Sequence, residues 1–202
     1  MPGREVKRDR GLIVTAIVGV LLAGGALWVW IEVLRDDTLP TRGPSMQPTL
    51  TGPTSVDIDE SAYDRAPPEI GDVVVIQAPA GAGTDSCGTT RRIDSPCAAP
   101  KLPYTNLRLL KRIVGGPGDL IAFAPDGTVI RNGERVDEPY IRPCPRGTCG
   151  LSEPIVVPDG YYFLAGDNRP VSSDSRYWGP MPGEAIDGRV VLPQGQPPGA
   201  GG

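Results

Sequence analysis

The sequence predicts a mainly β protein, in which an antiparallel β domain follows one N-terminal transmembrane helix. The first observation is that residues 12–34 are almost continuously apolar. The second is that no later stretch keeps a helical period over about ten residues, whereas short strand-like runs recur. The third is that 27 glycines and 24 prolines occur among 202 residues without a fixed period. Such a composition indicates many turns between short strands.

The apolar segment 12–34 has the sequence LIVTAIVGVLLAGGALWVWIEVL, with Glu32 as its one charged residue. As a helix it is about 34 Å long, which is enough to cross a hydrocarbon core of about 30 Å. Trp28 and Trp30 suit a membrane interface. The alternative is a cleavable secretory signal, whose apolar region is shorter and ends in small residues. Here aromatic and β-branched residues follow the small ones, which favours a membrane-spanning helix.

The charges that flank this segment predict its orientation. Basic residues are more frequent before the segment than after it: Arg4, Lys7, Arg8 and Arg10 against Arg35 and Arg42. Positive charge favours the cytoplasmic side of a membrane. We therefore expect a single-pass protein of the cell membrane, in contact with membrane lipid, with residues 1–11 in the cytoplasm. Residues 35–193 then form an extracytoplasmic domain, and residues 194–202, which cannot build a core, form a disordered tail.

The four cysteines all lie in the predicted extracytoplasmic part, where oxidising conditions favour disulfides. Sequence nearness favours the pairs Cys87–Cys97 and Cys144–Cys149 among the connectivities that four cysteines allow. A four-thiolate zinc site is the alternative, but the spacings do not match paired Cys-x-x-Cys. The first pair lies within residues 78–103, which are small, polar and rich in turn residues. We expect this segment to be a surface insertion held by its own disulfide.

The strand-like runs are short and bounded by turn residues. Asn132-Gly133, between two such runs, is a strong hairpin signal because both turn positions need a positive φ. The strands predicted from these runs are Val73–Ile76, Leu107–Val114, Leu120–Ala124, Ile155–Val157, Tyr161–Leu164 and Arg189–Leu192. Repeated short strands with Gly and Pro turns indicate an antiparallel β fold.

Two features of the composition exclude classes of function. The formal net charge of -4 argues against binding nucleic acid through its phosphates. The absence of histidine excludes Ser-His-Asp and Cys-His mechanisms and imidazole metal sites. A serine nucleophile in this chain needs another base, and lysine is the known alternative. We expect neither a metal nor a cofactor.

Three polar segments are candidates for chemistry. Ser45 lies in a Pro-bracketed turn, where it is either a nucleophile or an ordinary turn serine. Alternation places Lys111 on one strand face with Leu109 and Ile113. Burial there would lower the lysine pKa from about 10.4 and produce a base, although an edge lysine is the alternative. The loop 166–179 is too polar for a core strand and is either solvated or an ordered network.

These segments, in this order behind a membrane segment, resemble the conserved blocks of bacterial type I signal peptidases. The matching blocks are SMQPTL at 45–50, GDVVVI at 71–76, KRIVGGPGD at 111–119 and GDNRPVSSDSRYWG at 166–179. The resemblance implies a membrane-bound serine endopeptidase with a largely β catalytic domain outside the membrane. It also implies that the substrates are exported precursors, whose signal peptides are removed after small-x-small sites such as Ala-x-Ala.

The resemblance implies a role for each matching polar residue. Ser45 corresponds to the nucleophile that forms an acyl-enzyme, and Lys111 to its general base. Ser172 corresponds to a serine that hydrogen-bonds to the lysine and orients it. The residues that correspond to the supporting, ion-paired side chains are Asp174, Arg176, Asp167 and Arg112.

Two departures from the family pattern bear on the site. Gly43 stands where some members have a serine whose hydroxyl helps to hold the oxyanion, so the backbone N–H of Ser45 is the expected donor. Pro170-Val171 stand where Asp-Asn is frequent, which removes local polar contacts.

Two alternative functions fit the sequence less well. An inactive relative that only binds signal sequences would be expected to lack the serine or the lysine. A self-cleaving Ser-Lys repressor would carry a DNA-binding domain in place of the transmembrane segment.

Overall fold

The computed structural model divides the chain into two compact units, Met1–Asp36 and Asp37–Gly202. The predicted cytoplasmic segment 1–11 and the predicted tail 194–202 lie outside the described residues. The residues that the structure describes are 16–22 and 25–31 (backbone only), 38–82, 87–90 and 94–192.

The first unit contains two paired strands where the sequence predicts a helix. Strand β1, Ala16–Leu22, pairs antiparallel with β2, Gly25–Ile31, so that Ala16 lies opposite Ile31. The helix predicted over 12–34 is therefore not what the described backbone shows. The physical reason is that Val, Ile and Trp prefer extended backbone, and small residues separate the two runs. None of the helices in the described part of the chain is long and apolar enough to cross a membrane.

The second unit consists mainly of short antiparallel strands. One short α-helix, α1, covers Ser175–Trp178, and a 3₁₀ turn covers Pro44–Met46. The strands are β3 Thr38–Thr41, β4 Thr54–Asp59, β5 Val73–Pro79, β6 Tyr104–Gly115, β7 Leu120–Phe123, β8 Val129–Arg131, β9 Glu134–Arg135, β10 Leu151–Val156, β11 Tyr161–Ala165, β12 Met181–Pro182 and β13 Ile186–Val191.

These strands form two sheets. The larger sheet has the order β12-β11-β6-β5-β13-β4-β3, and the smaller has the order β10-β7-β8-β9. The paired strands of both sheets are antiparallel. The prediction of a mainly antiparallel β domain is confirmed.

The predicted hairpin joins β8 and β9 of the smaller sheet. Asn132 has a φ of 55° and Gly133 a φ of 87°, the left-handed conformation that a tight two-residue turn requires. The Asn132 side chain also donates to Asp119 at 2.8 Å, which fixes the turn against the start of β7. The local turn signal was therefore sufficient to place this hairpin.

The pairing of β5 with β6 positions two adjacent cations on opposite faces of the larger sheet. Val74 lies opposite Lys111, and Val73 lies opposite Arg112. Val74 packs in one apolar core with Ile113, while Val73 belongs to a second core on the other face. Successive side chains of a strand point to opposite faces. Lys111 therefore shares its face with apolar residues, as alternation predicts.

Candidate active site

Ser45 lies in the 3₁₀ turn Pro44–Met46, between β3 and β4. Pro44 suits the first position of the turn because its φ is fixed and its missing N–H is not needed there. The Gln47 N–H closes the turn by donating to the Pro44 carbonyl at 3.1 Å. Met46 is 3% exposed and packs in the second core. The buried Met46 anchors the turn, so that the neighbouring Ser45 is held half-buried at the surface.

Lys111 of β6 is brought to this turn and is 2% exposed. Its Nζ lies 3.2 Å from Ser45 Oγ and donates to the carbonyl of the preceding residue at 3.1 Å. Burial lowers the pKa of Lys111 to about 8; Asp174 and Asp167 oppose this shift, and Arg176 adds to it. A lysine with this pKa is partly neutral near pH 7, and a neutral amine can accept a proton.

Three buried ion pairs lie around these residues, and we call them the arginine network. In each pair an arginine donates two hydrogen bonds to one carboxylate, and every side chain is at most 1% exposed. Such bidentate geometry combines charge with fixed direction. The pairs are Arg112–Asp167 at 2.7–2.9 Å, Arg169–Glu138 at 2.6–3.1 Å and Arg176–Asp174 at 2.8–2.9 Å.

The arginine network explains why Lys111 has a lowered pKa although carboxylates are near. Asp167 and Asp174 both raise the Lys111 pKa, but each is already paired with an arginine. Within the described part of the chain, Lys111 itself forms no ion pair. The desolvation of the ammonium is therefore not offset by a carboxylate of its own, and the neutral amine is favoured.

Arg112 and Asp167 connect the central strands to the turn that carries Ser45. Arg112 also donates to the Gly71 carbonyl at 2.8 Å, and its guanidinium lies 4.1 Å from the centre of the Tyr140 ring. Asp167 accepts a further hydrogen bond from the hydroxyl of Thr49, in the loop that follows Ser45. The pair therefore joins three separate segments at one buried point.

Asp174 begins α1 and organises the loop before it. Its carboxylate accepts from the backbone N–H of Arg176 at 3.2 Å and from that of Gly166 at 3.0 Å. Burial alone would raise the pKa of Asp174, but the Arg176 guanidinium and the Gly166 N–H bring it below its usual value. Asp174 is therefore a charged cap that closes the loop 166–179 on itself.

Ser172 lies beside the backbone of Ser45 but does not make the hydrogen bond to Lys111 that the resemblance implies. It is 4% exposed, and its hydroxyl has no hydrogen-bond partner within the described residues. A Cβ at Gly166 would come within 2.2 Å of the Ser172 Oγ and 2.6 Å of the Ser45 carbonyl oxygen. Glycine at 166 is therefore required for Ser172 and Ser45 to pack this closely against that position.

The family described as signal peptidase, peptidase S26, matches residues 10–194. The chain belongs to this family. It is therefore a serine endopeptidase of the signal peptidase I type.

Individual members of the family are moderately similar to this chain. A probable signal peptidase I-2 of Synechocystis is 34% identical over 178 residues, which cover 88% of this chain and 69% of that protein. Signal peptidase I of Bacillus caldolyticus is 32% identical over 159 residues, which cover 73% of each chain. A solved signal peptidase I from Enterococcus faecalis is 23% identical and covers 61% of this chain and 97% of its own, with a TM-score of 0.40.

Sequence reasoning missed three contributors to the site of this family member. Asn168 contacts the Ser45 turn, Glu138 pairs with Arg169, and Thr49 donates to Asp167. Asn168 lies inside the quoted block 166–179 and was the easiest to find. Glu138 lies in a loop far from Arg169 in the sequence, and no spacing rule connects them.

The disulfides form the pairs that sequence nearness favours, Cys87–Cys97 and Cys144–Cys149. The expected surface insertion is nevertheless partly buried against the candidate site. The Cys97 side chain is fully buried, and its N–H donates to the Arg176 carbonyl at 2.9 Å. The described part of this segment therefore packs on the loop 166–179.

Proposed function

We propose that this chain removes N-terminal signal peptides from exported precursor proteins, and that it cleaves after small-x-small sites. Ser45 is the nucleophile and Lys111 the general base of a Ser-Lys dyad. The observation that carries the proposal is the 3.2 Å distance between Lys111 Nζ and Ser45 Oγ. The assignment of Lys111 as the base is supported further because the chain has no histidine that could take this role.

The proposed reaction has two steps. In the first, the neutral Lys111 amine takes the proton of Ser45 Oγ, and the oxygen attacks the carbonyl carbon of the small residue that precedes the cut. The oxyanion is held by the backbone N–H of Ser45. The intermediate collapses to an acyl-enzyme when the leaving amine takes the proton from Lys111. In the second, a water molecule gives a proton to Lys111 and attacks the acyl carbon. The bond to Ser45 Oγ breaks, Oγ takes the proton back from Lys111, and the signal peptide leaves with a new carboxylate.

The charged residues around the dyad support it without touching the reacting atoms. Asp167 and Arg112 hold the strand of Lys111 against the segment after Ser45, and Asp174 and Arg176 hold the loop 166–179. The buried hydroxyl of Ser172 has no hydrogen-bond partner among the described residues, and we propose that it orients the Lys111 amine once substrate is bound. A hydroxyl can donate or accept, so it can serve both protonation states of the lysine.

Membrane attachment belongs to the same proposal. Residues 12–34 are apolar enough to enter a bilayer, and a two-stranded hairpin there would leave backbone groups at its outer edges without partners. A helix satisfies these groups internally, so we propose a single-pass helical anchor with the peptidase domain outside the cytoplasm. The apolar part of a signal peptide also enters the bilayer. An anchored enzyme therefore meets it at a higher effective concentration.

The proposal is tested by incubating the full-length protein in detergent with an exported precursor. Wild type, Ser45→Ala and Lys111→Met are compared, because Met fills the space of the buried lysine stem without supplying a base. Wild type alone should cleave, and mass spectrometry of the product should place the cut after a small-x-small site. Undiminished cleavage by folded Lys111→Met would contradict the dyad. No cleavage by the folded wild-type protein would contradict the proposed function.

A further inference from the structure

Asn168 makes two hydrogen bonds to the backbone of the turn that carries Ser45. Its own backbone N–H donates to the Ser45 carbonyl at 2.9 Å. Its side-chain Nδ2 donates to the Pro44 carbonyl at 3.0 Å. Asn168 is 2% exposed, so both bonds are shielded from competing water.

The side-chain bond acts on one particular peptide group. The Pro44 carbonyl and the Ser45 N–H belong to the same peptide plane, which is trans. In a planar trans peptide the C=O and the N–H point in opposite directions. The φ of Pro44 is fixed by its ring, so the rotation of this plane depends on one remaining dihedral angle. A bond that fixes the Pro44 carbonyl therefore also fixes the direction of the Ser45 N–H.

The residues on both sides of Asn168 hold it firmly. Asp167 is bound by Arg112, and Arg169 donates to the Gly166 carbonyl at 3.0 Å and to Glu138. The backbone of this stretch also bridges to Arg142, whose N–H donates to the Asp167 carbonyl at 2.8 Å. Asn168 is thus a fixed donor, and the arginine network holds it in place.

The Asn168 amide is not explained by packing. Its Oδ1 is buried and has no hydrogen-bond partner among the described residues. An unpaired buried oxygen lowers stability, and an apolar side chain of similar size would avoid that loss. What the amide supplies is the Nδ2 donor to the Pro44 carbonyl.

We propose that Asn168 is a positioning residue for the oxyanion hole. Through the Pro44 carbonyl it directs the Ser45 N–H towards the developing oxyanion, and it polarises that peptide group so that the N–H is a stronger donor. The inference rests on the proposed function, since it assumes that Ser45 attacks a carbonyl. It matters more in this chain because Gly43 has no side-chain hydroxyl and Pro44 has no backbone N–H.

The test compares Asn168→Ala and Asn168→Leu in the full-length protein in detergent. Both variants lose the side-chain donor and keep the backbone N–H, while Leu also restores most of the lost volume. We expect kcat per folded enzyme to fall about 10–100-fold in both, because a misdirected oxyanion donor is partly lost. KM should stay within about twofold, and the midpoint of the pH profile should stay with the wild-type value because Lys111 is not altered.

A second readout isolates the oxyanion. A peptide aldehyde adds to Ser45: Oγ bonds to the carbonyl carbon, the proton passes to Lys111, and the carbonyl oxygen becomes an oxyanion. Its affinity should fall by the same factor as kcat in both variants, while the affinity of the matching peptide alcohol should not change.

The outcomes separate the two proposals. Recovery of kcat in Asn168→Leu would show that Asn168 only fills space and would overturn the inference. A rise of KM at constant kcat, or equal loss of aldehyde and alcohol affinity, would also overturn it. If folded wild type fails to cleave the precursor, the proposed function falls, and the inference falls with it. Parallel loss of kcat and aldehyde affinity in both variants, with wild type active, supports both.

Discussion

Two regions of this molecule bury cationic side chains, but only one of them pairs each cation with a carboxylate. The reactive pair, Ser45 and Lys111, has few partners: within the described residues, the Lys111 amine donates to one hydroxyl and one carbonyl. The arginine network beside it is rich in partners, since each guanidinium is bound by a carboxylate through two hydrogen bonds. Lys111 and the arginine network are both almost completely inaccessible to solvent, whereas Ser45 is half-buried. Burial alone therefore does not decide what a buried cation does.

The difference shows that the partner decides whether a buried cation stays charged. Arg112 and Lys111 are neighbours on β6 and point to opposite faces of the sheet. Arg112 meets Asp167, whereas Lys111 meets a hydroxyl, and burial lowers its pKa to about 8. A guanidinium also keeps its proton far more strongly than an amine. The network can thus fix the loop 166–179 while the lysine remains free to exchange a proton.

The largest expected effect comes from breaking the network with Arg112→Met. Asp167 would remain buried without its partner, and breaking a buried pair in this way costs about 3–5 kcal/mol. Asp167 already raises the Lys111 pKa, and the loss of the Arg112 guanidinium removes the positive charge that offsets this effect. We expect the free energy of unfolding to fall by that amount and the midpoint of the pH–activity profile to move above 8. Urea unfolding and kcat measured from pH 6 to 10 check the two expectations.

The matched control for Arg112→Met is Arg108→Met on the same strand. Arg108 is partly exposed and pairs with Asp187 at 3.0 Å. An exposed pair contributes about 0–1 kcal/mol, so this variant should stay close to wild type in both measurements. If the two variants lose equal stability, the distinction between buried network and surface pair is wrong.

The second effect is the pH dependence of the wild-type enzyme. Because burial lowers the pKa of Lys111 to about 8, the neutral base is about 1% populated at pH 6 and dominant above pH 9. We expect kcat to rise about 100-fold between these values, with a slope of about one decade per pH unit below the midpoint. Single-turnover cleavage measures the chemical step directly. A flat profile in that assay would mean that Lys111 is not the titrating base.

The local features of the fold and of the candidate site could be predicted from the sequence. Alternation placed Lys111 on an apolar face, the Asn-Gly turn placed a hairpin, and nearness in the sequence favoured the disulfide pairs that form. These signals are local, because a side chain's face and a turn's φ depend on a few neighbouring residues. The resemblance to a family then indicated which distant segments belong together.

The rest depended on contacts between distant segments. Glu138 and Arg169 pair across 31 positions, and nothing in either segment specifies the other. The hydrogen bond from Ser172 to Lys111 was expected from the resemblance, but in the described part of the chain the Ser172 hydroxyl has no hydrogen-bond partner. The segment 12–34 has a composition compatible with both helix and strand, and the environment decides between them.

The third effect concerns stability rather than rate, and it comes from Lys111→Met. In the folded protein burial lowers the Lys111 pKa to about 8, whereas in the unfolded chain it is about 10.4. Between these values the unfolded chain binds more protons, so wild-type stability rises with pH across this window. Met carries no proton, so below pH 8 the variant should be more stable than wild type by about 1–3 kcal/mol.

The advantage of Lys111→Met should shrink as pH rises from 8 to above 10, and urea unfolding at several pH values measures it. Lys101→Met, which removes an exposed lysine, controls for the change of residue type. If Lys111→Met were less stable than wild type at every pH, the hydrogen bonds of Lys111 would stabilise the protein by more than the desolvation of its ammonium costs. The inference that this desolvation is not offset would then be wrong.

The smallest effect tests whether the reactive pair has room for one more donor, through Gly43→Ser. Gly43 has extended backbone, with φ -84° and ψ 149°, and a Cβ there would meet nothing within 4 Å. A serine therefore fits without strain and brings a hydroxyl to the turn of Ser45. Because the Ser45 N–H remains as donor, we expect kcat to rise only about two- to tenfold, well below the effect of removing an oxyanion donor.

Gly43→Ala fills the same space and removes the same backbone freedom without a hydroxyl, so it should leave kcat unchanged. The hydroxyl should help most where the backbone donor is misdirected, and Gly43→Ser should raise kcat more in the Asn168→Ala background than in wild type. Equal kcat values for the Ser and Ala variants in both backgrounds would show that the turn does not direct a hydroxyl to the oxyanion.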